Sequence, residues 1–207
     1  LFRSYFTKEA FDKLYPGYGS SYVNFYGGAG FLFEQASSRG HVQNTPAGPI
    51  TFAFTIRNQF TAGLTTVRAS LAERAALIDL RNSFYRTTAA QAKANPVKGY
   101  VFGDRNDRTR TNALVNLLLT HQVEVYELPK DLSAAGKSFE KGSAYLVPTE
   151  QENYLMVRSA FEKDITYADS IFYDASTWSL VHAFNMPHAE LRTPPARGNR
   201  VIAVIPS

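Results

Sequence analysis

Two hydrophobic rhythms run along this chain, and the change between them divides it. Ile56, Phe60, Leu64, Val67, Leu71 and Ile78 recur at spacings of three, four and seven. That period puts them on one face and predicts a helix over 52–85, with Gly63 as its weak point. The stripe reads as core, the helix forming an outer layer over a sheet, and not as a cofactor contact. Arg68 is expected to face solvent, whereas Arg57 is open between cleft and solvent. Further upstream the run 29–33 is apolar, bounded by glycines and rich in Phe, and predicts a short buried strand. A Ser-, Gly- and Pro-rich stretch over 37–49 separates the two elements.

Periodicity fades over 89–96, which ends in Asn95-Pro96, a pair that disfavours continuing a helix. The boundary predicted there divides the chain into 1–95 and 96–207. Beyond it the pattern predicts a strand over 100–102 and a helix over 107–120 with Leu114, Leu117 and Leu118 inward. Strands over 123–128 and 144–147 follow, then a helix carrying Tyr154, Val157 and Phe161. Pro187, Pro194 and Pro195 mark a loop before a final strand over 201–205. Strands alternating with helices of this length imply an α/β class with a small parallel sheet under covering helices.

Composition narrows the functions. With 44% apolar and 14% aromatic residues, 207 residues are ample for a packed core. Ten basic residues face five acidic ones over 1–95, and twelve face thirteen over 96–207. This modest, scattered excess argues against a nucleic-acid partner. The absence of cysteine excludes disulfides, thiolate metal sites and a Cys nucleophile in this chain. No apolar run is long enough to span a bilayer, and no signal-peptide pattern is present, so any export signal is expected on an upstream part of a longer protein.

The candidate chemistry lies in 15–40, Tyr-Pro-Gly-Tyr-Gly-Ser-Ser-Tyr-Val-Asn-Phe-Tyr-Gly-Gly-Ala-Gly-Phe-Leu-Phe-Glu-Gln-Ala-Ser-Ser-Arg-Gly. Glu34 ends the apolar run, where a carboxylate must face a cleft, a partner charge or a metal. The glycines and tyrosines before it suggest a sharply bent loop whose rings wall a pocket. On the residues alone, Glu34 is either a functional acid or a buried one paired with Arg39 or Arg57.

This segment resembles the end of the catalytic domain of M14-type zinc carboxypeptidases, especially the secreted M14-like peptidases of Bacteroidetes-type bacteria. In that family a Tyr-x-x-x-Gly loop caps the substrate, and a strand ending in Glu supplies the carboxylate that activates a zinc-bound water. The resemblance assigns Glu34 as catalytic base and Tyr15 as the substrate-capping residue, with Tyr18 and Tyr22 as alternatives. It implies a peptide substrate, zinc in the full-length parent and a secreted or periplasmic location. The family's His-x-x-Glu zinc motif lies upstream of such a glutamate, and no residue before Glu34 is His. His121 and Glu124 have that spacing in the wrong order, and they read instead as a helix C-terminal residue and the polar face of a strand. The chain is therefore expected to be the C-terminal part of such a protein, without zinc ligands of its own and inactive alone.

The second half resembles the flavodoxin-like, class I glutamine amidotransferase-like domain that follows the peptidase in those proteins. Its carriers are Tyr145-Leu-Val-Pro148, Glu150-Gln151 and Phe172-Tyr-Asp-Ala-Ser-Thr-Trp178. Without a cysteine it has no glutaminase nucleophile. Gly103-Asp104-Arg105-Asn106-Asp107-Arg108 sits where doubly wound folds bind ligands, but two acids make a poor phosphate cradle and Asp107 reads as a helix N-cap. Ser176 with Asp174 and His182 lacks a nucleophile elbow, and His182 and His188 read as packing or surface residues. The alternative reading of the whole chain is a noncatalytic binding module in which Glu34 is structural.

Overall fold

The computed structural model describes residues 16–33, 35, 37–161 and 179–204. At its centre lies the strand β3 (Gly99–Phe102), buried along its whole length. It stands in a four-stranded sheet of order β4 (Tyr126–Glu127), β7 (Tyr145–Pro148), β3, β8 (His188–Leu191), with every pair antiparallel. The α/β class holds, but the parallel sheet expected from the alternation does not. The strand–helix–strand unit from β3 through α4 (Arg108–Thr120) to β4 is present, yet its strands are not neighbours, because β7 lies between them.

The reason lies in 129–143. No crossover helix intervenes between β4 and β7, only a hairpin of β5 (Leu132–Ala134) and β6 (Lys137–Phe139). Its two turn residues, Ala135 and Gly136, both have positive φ (48° and 71°), the pattern of a type I′ turn matched to strand twist. The chain therefore returns antiparallel.

Alternation along the strands feeds two cores. Tyr100, Phe102 and Val147 pack with Leu114, Val115 and Leu118 of α4 and with Met156, Val157 and Phe161 of α5 (Tyr154–Phe161). Val101 and Leu146 point the other way, onto Leu128, Phe139 and Ala189. The Phe161 ring stacks on Tyr100 at 4.7 Å and tilts against Phe102 at 5.5 Å. Gly103 leaves β3 at φ 150°, and a Cβ there would stand 2.4 Å from the Ser143 carbonyl, so only glycine fits.

Asp107 caps α4, its Oδ1 accepting from the Arg110 amide at 2.8 Å. The helix ends on His121. Gln122 takes the left-handed conformation (φ 58°), and the amides of Gln122 and Val123 donate to the carbonyls of Leu119 and Leu118. This is a Schellman stop in which Val123 packs over Leu118, with glutamine where glycine is usual. The strand expected over 123–128 shrinks to two residues, although Val123 and Val125 are buried in the core beneath α4 and Leu128 in the core on the other side of the sheet. No strand forms over 201–204. Instead the 198–201 segment covers the edge of β4, with Gly198 donating to the Glu127 carbonyl and Val201 to that of Val125. A short helix, Leu180–Ala183, precedes β8, and 162–178 with its Phe172 to Trp178 motif lies outside the described residues.

The first half is built differently. A one-turn helix α1 (Gly19–Tyr22) and a 3-10 turn (Val23–Tyr26) lead to residues 27–33, which form no strand. Phe31, Leu32 and Phe33 are 68, 62 and 51% exposed, so the buried strand expected over 29–33 is corrected. From within the Ser-, Gly- and Pro-rich stretch over 37–49, β1 (Val42–Thr45) pairs with β2 (Gly48–Thr51). Thr51 then caps α2 (Phe52–Ala72) by accepting from the Phe54 amide.

The helix expected over 52–85 is interrupted at Glu73 and resumes as α3 (Arg74–Ala94), which stops at Asn95 in extended conformation before Pro96. Residues 89–94 are thus helical. No residue of α2 is buried, and Phe60, Val67 and Leu71 are each 68% exposed. The predicted stripe exists, but nothing among the described residues covers it.

Two substitutions probe this architecture. Phe161→Ala is expected to cost about 3–5 kcal/mol by emptying the site between Tyr100 and Phe102. Gln122→Gly is expected to stabilise by about 1 kcal/mol through relief of the left-handed backbone. Urea denaturation midpoints check both, and a lower midpoint for Gln122→Gly would contradict the cap assignment.

Candidate functional site

Glu34 and Tyr15 lie outside the described residues, so the site is built from what flanks them. Phe33 and Gln35, on either side of Glu34, line a groove of about 700 Å³ together with Phe31, Arg57, Thr61 and Leu77. Arg57, open between cleft and solvent in the sequence, contributes to this groove, with its guanidinium 4.9 Å from the centre of the Phe54 ring. The α2 wall is made of small residues, among them Ala62, Thr65, Ala69 and Ser70, on the side away from Phe60 and Val67. Such a channel suits an apolar segment, with Arg57 and Glu73 as its charged members.

Tyr18 is half-buried at the N-cap of α1, and its carbonyl accepts from the amides of Ser21 and Tyr22 at 3.1 and 2.8 Å. Gly30 passes so near this turn that a Cβ would fall 1.7 Å from the Ser20 carbonyl. Tyr22, the other alternative for substrate capping, has its hydroxyl elsewhere. It meets His121 Nδ1 at 3.1 Å, while the Tyr26 hydroxyl donates to the His121 carbonyl at 2.8 Å. The two tyrosine rings are 5.2 Å apart, and Tyr22 lies 5.5 Å from the imidazole. Burial, and then the hydrogen bond with Tyr22, push the Tyr26 phenol well above its ordinary range. Sequence reading missed this cluster. Its signal is the four-residue spacing of Tyr22 and Tyr26, which turns both rings to one side of a helical turn.

His121 is the C-terminal residue the sequence suggested, and burial pulls its pKa below the usual histidine value. Glu124, three residues on, is engaged by the Tyr126 hydroxyl at 2.8 Å and lies 3.7 Å from Arg200. The two side chains are engaged by different partners. Among the described residues no group of three or more His, Cys, Asp or Glu side chains could hold a metal ion. They do not fit the zinc that the family resemblance implies.

In the loop after β3, Arg110 pairs with Asp104 at 2.5 Å and lies 3.5 Å from Asp107, so the acids serve to fix the start of α4. Asp104 Oδ1 also accepts from the Asn106 amide at 2.9 Å. His188 bonds the Met186 carbonyl through Nδ1, and the exposed His182 ring meets His188 edge-on at 5.3 Å. Ser176 and Asp174 lie outside the described residues.

Among the described residues no helix is long and apolar enough to cross a membrane. No family model, no curated protein and no solved structure matches the chain.

The His121 environment carries a pH dependence. The folded chain holds His121 less readily protonated than the unfolded chain, so the unfolded state binds more protons on the acid side. The stability it contributes is present above about pH 6.5 and is lost as pH falls below that value. Melting temperature followed from pH 7.5 to 5 is expected to fall more steeply for the native chain than for His121→Asn; parallel curves would remove His121 from the acid response.

Proposed function

We propose that the chain is the C-terminal part of an exported M14-like zinc carboxypeptidase: residues 1–95 complete its peptidase domain, and 96–207 form a noncatalytic accessory domain, whose antiparallel sheet departs from the doubly wound parallel sheet of an amidotransferase-like domain. The observation that carries this reading is an asymmetry of burial. Among the described residues, apart from Phe25, the buried apolar ones fall between Ala92 and Val201, and apart from Ile202, the large exposed ones fall between Val23 and Leu80.

A 21-residue helix with a solvated apolar face has little stability of its own, because such helices depend mainly on packing. Covering a side chain such as Phe60 or Leu71, each two-thirds exposed, is worth roughly 1–2 kcal/mol. A peptidase sheet laid on that face supplies the missing layer and gives the segment around Glu34 strand neighbours.

In this reading Glu34 is the carboxylate that takes a proton from the attacking water and passes it to the leaving amine, as the resemblance implies. Tyr15 or Tyr18 caps the peptide substrate, since the Tyr22 hydroxyl is held by His121. The metal requires ligands from beyond the described residues. The second half supplies most of both cores, with Phe25 of the first half buried in the larger one, and, having no cysteine, it has no glutaminase nucleophile.

Glu34→Gln tests the proposal in the full-length protein. Loss of a general base lowers turnover by roughly 10²- to 10⁴-fold, with zinc content and melting temperature expected to stay near native. If Glu34 instead neutralises Arg39 or Arg57, the variant loses stability and keeps its activity per folded molecule. A stable, zinc-loaded Glu34→Gln protein with near-normal turnover would eliminate Glu34 from the mechanism.

A further inference from the structure

We infer that His121 is a positioning residue: it clamps the tyrosine segment 18–28 onto the C-terminal cap of α4, so that the second half of the chain sets the place of the Tyr18 turn. The clamp has two arms on one residue, Tyr22 on the imidazole and Tyr26 on the carbonyl. That residue is itself fixed. Asn153, at the start of α5, donates to the Gln122 carbonyl at 2.9 Å, and the Schellman stop anchors Val123 over Leu118.

The segment is held from two further sides. Phe25 is buried in the main core, and the Tyr85 hydroxyl of α3 donates to the Tyr26 carbonyl at 3.4 Å. Tyr18 lies one turn before Tyr22 and is joined to it through the Tyr22 amide. A displacement of the α4 cap is therefore transmitted to Tyr18 through a single helical turn. The contacts stand by themselves; their bearing on substrate capping rests on the peptidase reading above.

Hydrogen exchange on this chain tests the clamp. Tyr22→Phe and His121→Leu are each expected to accelerate exchange of the amides over 19–28 by about fivefold, the yield of one lost hydrogen bond, with β3 and β7 amides unchanged. The double variant is expected to go no further than either single one, because both remove the same bond. His121→Asn, which keeps a polar atom near the position of Nδ1, is expected to restore most of the protection.

Unchanged exchange over 19–28 in Tyr22→Phe, or fully multiplicative effects in the double variant, would overturn the clamp. If His121→Leu fails to fold, Tyr22→Phe with the His121→Asn comparison still decides. In the full-length protein, Tyr22→Phe is expected to raise KM more than it lowers kcat. Accelerated exchange with unchanged KM supports the clamp and counts against Tyr18 as the capping residue, so the two readings fail separately.

Discussion

β3 is buried on both faces and paired on both edges, and the rest of the second half is arranged around that requirement. A central strand in an apolar interior must satisfy its amides and carbonyls with other strands, because water does not reach them. Here the partners are β7 and β8, recruited from far along the chain. The sheet is incomplete until β8 has been placed, which makes the fold one of long-range contacts and favours a concerted closure of 97–201 over piecemeal assembly. Phe161 on Tyr100 and Phe102 then seals one face, and Phe139 helps seal the other.

The first half satisfies itself far less completely. Its elements are locally well made: a hairpin, a threonine-capped helix and a tight turn closed by Gly30. Among the described residues no layer covers α2. The contrast with the second half is one of tertiary partners, not of local signals, and this makes burial a sharper guide to the organisation of this chain than element content.

Where local chemistry decides the outcome, the sequence was readable. Asp107 as N-cap, α4 with Leu114 and Leu118 inward, His121 at its end, and the Asn95-Pro96 stop all follow from short-range rules. Leu117, placed inward by the same period, is only half-buried, being on the rim of the stripe. Strand direction was not readable, because it depends on what joins the strands, and the Ala135-Gly136 turn is a weak signal beside Asn-Gly. Periodicity over 52–85 located an apolar face but carries no information on whether that face meets anything. The Tyr22–His121 contact joins residues 99 apart in sequence, which no spacing rule reaches. Glu34 is assigned from its place in the sequence; its sequence neighbours Phe33 and Gln35 line one groove with Arg57.

The single non-helical residue between α2 and α3 has a mechanical consequence. At 1.5 Å per residue α2 is about 32 Å long, so each 10° of rotation about Glu73 displaces its far end by about 5 Å. The β1–β2 hairpin rides at that far end, tied to the helix by the bond from the Phe52 amide to the His41 carbonyl. Small changes in the joint are thus geared up into large excursions of the hairpin, and whatever surface covers α2 also fixes the aim of everything attached to its tip.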